Sequence, residues 1–300
     1  MTSASPPDGG RTAGGRPAGR RPAPRALLLT FLLVVTMAGT GGWHLSSTAA
    51  FDDRDITLIN VVLPMIRAGI RARRHHRKVA PAVLQAALGG LMMREAMARA
   101  ERAEDKSAFK AWRAKLMMNV GASLAESAGG DLEFRMDLGP LWLVTRDGRL
   151  DWRIGLHGTI APLLNMTDGA RVSWPQTFKY GTLAFKRGRN TDGTIGTRGA
   201  LAYSNANNFI TNDDGSHAGH ELIHTFQYRR DAFLSPRLTR LWPALEEHLE
   251  NHLGHRWLDD TGWGVNWAAQ CTWARLTGHD RDFEIPLEKE AYYLADNIEF

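Results

Sequence analysis

Five consecutive residues, His220-Glu221-Leu222-Ile223-His224, carry the clearest chemical signal in the chain. On a helix, residues i and i+4 share a face, so both imidazoles can reach one ion. Glu221 sits beside the first of them and can lean towards a water held by that ion. This is the spacing in which two histidines bind zinc and the glutamate serves as general base. A catalytic zinc takes three protein ligands and keeps a water in the fourth tetrahedral position. The pentad supplies two, so one ligand must come from elsewhere. Downstream candidates are His248, His252, His255, Asp259, Asp260, His279, Glu284, Glu288 and Glu290. His224 runs on into Thr225-Phe226-Gln227-Tyr228, with no His-x-x-Gly-x-x-His continuation, which argues against a third histidine close by. A carboxylate on a later helix is the expected partner.

The elements around the pentad suit it. Asp213, Asp214, Gly215 and Ser216 mark a helix start, and Pro236 stops its continuation, which predicts a helix from His217 to about Phe233. His217 is read as a first-turn surface residue or as a neighbour behind the ligands, and Gln227 and Tyr228 as packing or orienting groups. Ahead of the helix, Ala200–Ser204 and Asn208–Thr211 read as a strand pair, and an edge strand beside such a helix is where a peptide could add as a further strand. Leu141–Thr145 and Arg149–Ile154, joined by Asp147-Gly148, read as a β-hairpin, supported by the alternation of Leu150, Trp152, Ile154 and Leu156. Further turns are expected at Thr167-Asp168-Gly169 and Thr191-Asp192-Gly193.

Before position 131 the pattern is helical. Val83, Leu84, Ala87, Leu88, Leu91, Met92 and Met97 recur at helical spacing, with Pro81 near the start. A further helix spans about Ser107 to Ser127, with Phe109, Trp112, Leu116, Val120 and Leu124 on one face and Gly129-Gly130 at its end. Leu241–Leu253 and Leu287–Asn297 read as later helices, and the tryptophan-rich run Trp257–Leu276 as core.

Two motifs together carry a family resemblance. Gly219-His-Glu-Leu-Ile-His-Thr-Phe-Gln-Tyr228, with Pro286-Leu-Glu-Lys-Glu-Ala-Tyr292 downstream, resembles the gluzincin-type zinc metallopeptidases. The likeness is to members whose third ligand opens a Glu-x-x-Ala-Asp motif on a later helix, as in membrane-associated CAAX proteases, and to small bacterial metalloprotease-like proteins. It implies a zincin-like α+β domain with a small antiparallel sheet, Zn2+ held by His220, His224 and Glu288, and hydrolysis of a peptide or protein substrate with Glu221 as base. Glu288 takes the ligand place three residues before Ala291; Glu290 is the fallback. Tyr292 stands where the family has aspartate, so an outer acidic partner must come from elsewhere. The match covers these short segments only, and the family's multiple membrane spans have no counterpart here.

The N-terminus indicates a compartment. Residues 1–25 are rich in Pro, Gly, Ala and Arg and too poor in large apolar groups to fold. Residues 26–50 follow with an uncharged apolar run, Ala26–Ala38, and the small residues Ser46–Ala50. This reads as an export signal, cleaved after Ala49 or Ala50, with an uncleaved tether through residues 26–42 as the alternative. Residues 51–130 then form a helical segment and 131–300 the metallopeptidase-like domain, in a secreted or cell-envelope protein.

Composition excludes other classes. The 300 residues are 43% hydrophobic and 23% charged, as in a globular protein. The net charge of +5 comes from two arginine clusters, in the first 25 residues and over Arg67–Lys78, with no interleaved aromatics, so no nucleic acid partner is expected. The paired His75-His76 reads as part of a solvated face. Cys271 is the single cysteine, which rules out an internal disulfide and reads as a core thiol. Beside the enzyme stands a second reading, a non-catalytic zinc-binding envelope or interaction protein.

Overall fold

The computed structural model describes residues 58–101, 107–146, 148–167, 169–187, 203–205, 208–211 and 217–232, together with 247–248, 251, 258–259, 288, 290–291 and 294. The expected basic leader, the export signal or tether, the turn at 191–193 and most of the chain beyond 232 lie outside these residues. No helix among the described residues is long and apolar enough to cross a membrane.

The class is α+β. A π turn, Leu58–Val62, leads into α1 (Leu63–Arg74), α2 (Val79–Glu101) and α3 (Ala108–Ser127). Then come β1 (Glu133–Leu138), β2 (Leu141–Arg146), β3 (Arg149–Gly155), α4 (Leu156–Thr167), β4 (Arg171–Val172), α5 (Trp174–Tyr180), β5 (Leu183–Lys186), β6 (Tyr203–Asn205), β7 (Asn208–Thr211), α6 (Ala218–Asp231) and β8 (Leu258–Asp259). Two four-stranded sheets form, in the orders β1-β2-β3-β8 and β4-β5-β7-β6. The hairpin expected around Asp147-Gly148 is β2–β3, with Leu143 opposite Trp152 and Gly148 at a φ of +73° that favours glycine. The expected strand pair is β6–β7.

Three expectations are corrected. The sheets are not purely antiparallel, because β3 pairs with β8 and β5 with β7 in parallel. The alternation through Leu156 does not continue as strand; Leu156 opens α4. And most of the large apolar residues picked out on α2 and α3 do not form the buried face: Leu84 is 70% exposed, Leu88 55% and Phe109 76%, while Met97 is buried. Small residues are buried instead. Gly89 and Gly121 face each other so closely that a Cβ on Gly89 would lie 2.5 Å from the Gly121 carbonyl oxygen. Ala86, Ala96 and Ala100 of α2, with Ala111, Ala114 and Ala122 of α3, extend the buried small-residue surface. Close approach gains dispersion contacts along the whole seam, which favours small side chains there over leucine.

One core cluster joins Met93 and Met97 of α2, Met118 of α3, Phe209 of β7, and Leu222, Ile223 and Phe226 of α6. The expected segments 51–130 and 131–300 therefore share a core. Helix α6 runs through it: every residue from Ala218 to Asp231 is buried except Tyr228, which is half-buried. A helix this polar can be buried only if its charges are paired. Arg229 donates to Glu126 at 2.5 Å, and Arg230 to Asp231 at 2.7 Å. Beside it, buried Lys115 meets Asp137 at 3.2 Å and Thr182 at 2.9 Å.

Candidate metal centre

Helix α6 begins one residue later than its start signals suggest. His217 caps it in the left-handed region (φ 64°, ψ 9°), and the Glu221 amide donates to the His217 carbonyl at 3.0 Å. The His217 side chain is exposed, as expected. The first complete turns of α6 then carry the pentad into the interior.

His220 and His224 point the same way. Their Nε2 atoms lie 3.0 Å apart, with the rings nearly perpendicular at 84°. Glu288 reaches them from the chain's last part: its Oε2 is 3.3 Å from His220 Nε2 and 3.0 Å from His224 Nε2. Among the described residues, this is the group of histidines and carboxylates close enough to hold a metal, with all ligand atoms within 4.8 Å of one another. Glu290 does not join it. Its carboxylate accepts from Arg230 Nη1 at 2.7 Å on both oxygens, from Gln227 Nε2 at 2.9 Å and from Asn60 Nδ2 at 3.1 Å. The two carboxylates that the sequence left as alternatives differ in position: Glu288 faces the imidazoles, and Glu290 faces a cation and two amides.

The hydrogen bonds fix where protons sit. Glu290, bound to Arg230, only accepts, so Gln227 must turn its NH2 towards it. That leaves Gln227 Oε1 facing His224 Nδ1 at 2.7 Å, and Nδ1 must be the protonated nitrogen. In neutral imidazole, His224 Nε2 then carries a lone pair, aimed at a carboxylate oxygen and at a second imidazole nitrogen. Such an arrangement is repulsive unless a proton or a cation sits among the three atoms. Tetrahedral ligands at about 2.0–2.1 Å from zinc sit about 3.3 Å from one another. The observed separations of 3.0, 3.0 and 3.3 Å match that within a few tenths of an ångström. Two nitrogens and one carboxylate oxygen also form a donor set suited to zinc.

Without a metal, a proton takes the place. Burial pushes the His224 imidazole down, but the charge and hydrogen bond of Glu288, with the charge of Glu221 and the Gln227 contact, raise it to about 9. His220 is lowered, chiefly by burial and partly by the neighbouring His224 charge. Burial raises Glu288, yet the two histidines outweigh it and hold the carboxyl well below the usual range. Glu221 is 4% exposed and follows His220 directly on the helix.

Of the other candidate ligands, His248 is described and lies outside the cluster, and Asp259 is described only as a strand residue of β8. His252, His255, Asp260, His279 and Glu284 fall outside the described residues. Asn60 and Arg230 gave no sequence signal as parts of the site. Gln227 had one, since it lies seven residues after His220 and so on the same helix face.

Comparison with protein-family models, with curated proteins and with solved structures finds no match.

Proposed function

We propose that this chain is an exported zinc-dependent metallopeptidase that uses His220, His224 and Glu288 as ligands and Glu221 as general base. The supporting observation is the convergence of three donor atoms at separations suited to one tetrahedral ion, with the His224 lone pair turned inward by Gln227. Zinc bound there would polarise a carbonyl and bring the pKa of a bound water towards about 7. Glu221 takes the proton from the attacking water and delivers it to the leaving amine. Strand β6 pairs with β7 and is the edge of its sheet among the described residues. It packs against α6, so an extended peptide added beside it would lie on the sheet that carries the zinc helix. The basic leader and apolar run at the N-terminus support export, with residues 26–42 as the tether if the signal is not cleaved.

The test is hydrolysis of an unfolded polypeptide by the purified zinc-loaded chain and by Glu221→Gln. Loss of a positioned general base lowers the rate by about 100- to 10,000-fold. Full activity in the variant with zinc still bound overturns the mechanism. One observation favours the second reading, a non-catalytic zinc-binding protein: His220, Glu221 and His224 are only 4–7% exposed. On that reading neither protein hydrolyses peptide, and zinc raises thermal stability equally in both.

A further inference from the structure

Around the three proposed ligands lies a layer that the pentad does not contain. It begins at Asn60 in the π turn, passes through Glu290 and Gln227, and ends on the Nδ1 of His224. Arg230 holds the middle. Three parts of the chain take part, the π turn, α6 and the segment around Glu290, and Asn60 and Glu290 are 230 positions apart in sequence.

We infer that Gln227 and Glu290 are a positioning pair: an amide and a carboxylate, ordered by Arg230 and Asn60, that keep the His224 proton on Nδ1 and leave Nε2 free for the metal. The inference rests on the metal reading of the site. The direction of each hydrogen bond follows from donor and acceptor types. Arg230 Nη1 can only donate, and it lies 2.7 Å from both Glu290 oxygens. Glu290, 0% exposed, is therefore an acceptor towards every neighbour. Gln227 presents Nε2 to it at 2.9 Å and has only Oε1 left for His224. Were the amide reversed, its NH2 would face Nδ1, the imidazole would carry its proton on Nε2, and that nitrogen would have no lone pair to give a cation. Glu290 is the group that forbids the reversal. Partners of this kind on metal-binding histidines set the tautomer and ring orientation, and their loss costs about 10- to 100-fold in metal affinity. The Gln227–Glu290 pair meets the need for an outer acidic partner that Tyr292 leaves open.

The pair can be tested by exchange. Zinc affinity is measured by competition with a chromophoric chelator for wild type, Gln227→Glu, Glu290→Gln and the double variant. Gln227→Glu sets two carboxylates face to face, and Glu290→Gln lets the Gln227 amide reverse. Each single change is expected to weaken zinc binding by about 10- to 100-fold. In the double variant the new carboxylate at 227 accepts from His224 Nδ1 and from the new amide at 290, whose oxygen still accepts from Arg230 and Asn60. Proton order is restored, so affinity returns to within about threefold of wild type, far from the product of the two losses. The visible spectrum of the cobalt-loaded protein follows the same pattern. Single variants that bind zinc like wild type, or a double variant whose losses multiply, overturn the pair while leaving the ligand set standing. A folded wild type that binds no zinc removes the metal reading itself.

Discussion

Two glycine-to-alanine changes, in neighbouring helices, should shift stability in opposite directions. In a helix interior, alanine is favoured over glycine by about 1 kcal/mol. At Gly69 in α1 nothing opposes that gain: a Cβ would meet Val83 Cγ2 at 3.6 Å and Val79 Cγ1 at 3.7 Å, ordinary contacts in an apolar groove. Gly69→Ala is expected to stabilise by about 0.5–1 kcal/mol, a rise of about 1–4 °C in Tm for a chain of this size. At Gly90 in α2 a Cβ would lie 2.2 Å from the Asn60 carbonyl oxygen and 2.8 Å from Val61 Cα. The π turn must retreat by about 1 Å, and overpacking of this kind costs about 1–3 kcal/mol. The retreat also weakens the 3.1 Å hydrogen bond from Asn60 to Glu290, of a charge-assisted type worth about 1.5–3 kcal/mol. Gly90→Ala should therefore destabilise by about 1–3 kcal/mol net, a fall of about 2–12 °C. Thermal and urea unfolding, with zinc removed by chelation, measure both. If Gly90→Ala stabilises as Gly69→Ala does, the turn does not pack on α2 as described, and the link from Asn60 to the metal centre fails with it.

Further outcomes follow from the buried charges. In the metal-free chain, His224 is raised from 6.5 to about 9. A raised base stabilises the fold fully below pH 6.5 and loses that contribution as pH climbs through about 9, here up to about 3 kcal/mol. Chelated protein should melt lower at pH 9.5 than at pH 6.5, whereas zinc-loaded protein should not, because the metal replaces the proton and binds better as pH rises; parallel curves would refute this. Glu288, lowered, acts in the opposite sense, and its contribution is lost as pH falls below about 4.5. Lys115→Met leaves Asp137, 0% exposed, without its cation and should cost about 3–5 kcal/mol in urea unfolding. Removing the exposed pair Arg77–Asp131, at 49% and 72% side-chain exposure, should change stability by less than about 1 kcal/mol in the same assay.

The pentad was legible in sequence because its chemistry is local: one helix turn brings His220 and His224 to one face whatever surrounds them. The β2–β3 hairpin was legible for a similar reason, since Asp147-Gly148 and the alternation around it specify turn and register together. The buried faces of α2 and α3 depart from their large-residue pattern because apolar size marks a core only when helices sit at ordinary spacing. Where Gly89 and Gly121 bring two helices together, alanine and glycine take the seam and Leu84 and Leu88 turn outward. Parallel pairing of β8 with β3 had no local signal, since the two strands lie about a hundred residues apart. Glu290 showed its charge but not its direction; that depends on Arg230 and Asn60, which only the folded chain brings to it.

Zinc content of the purified chain, wild type beside Glu288→Ala, is the most direct test of the central claim. Elemental analysis should find one zinc per wild-type chain and a loss of most of it in the variant, with both proteins folded by circular dichroism. A folded wild type that takes up no zinc, or a Glu288→Ala protein that holds it as tightly as wild type, would contradict the assignment of His220, His224 and Glu288 as the metal site.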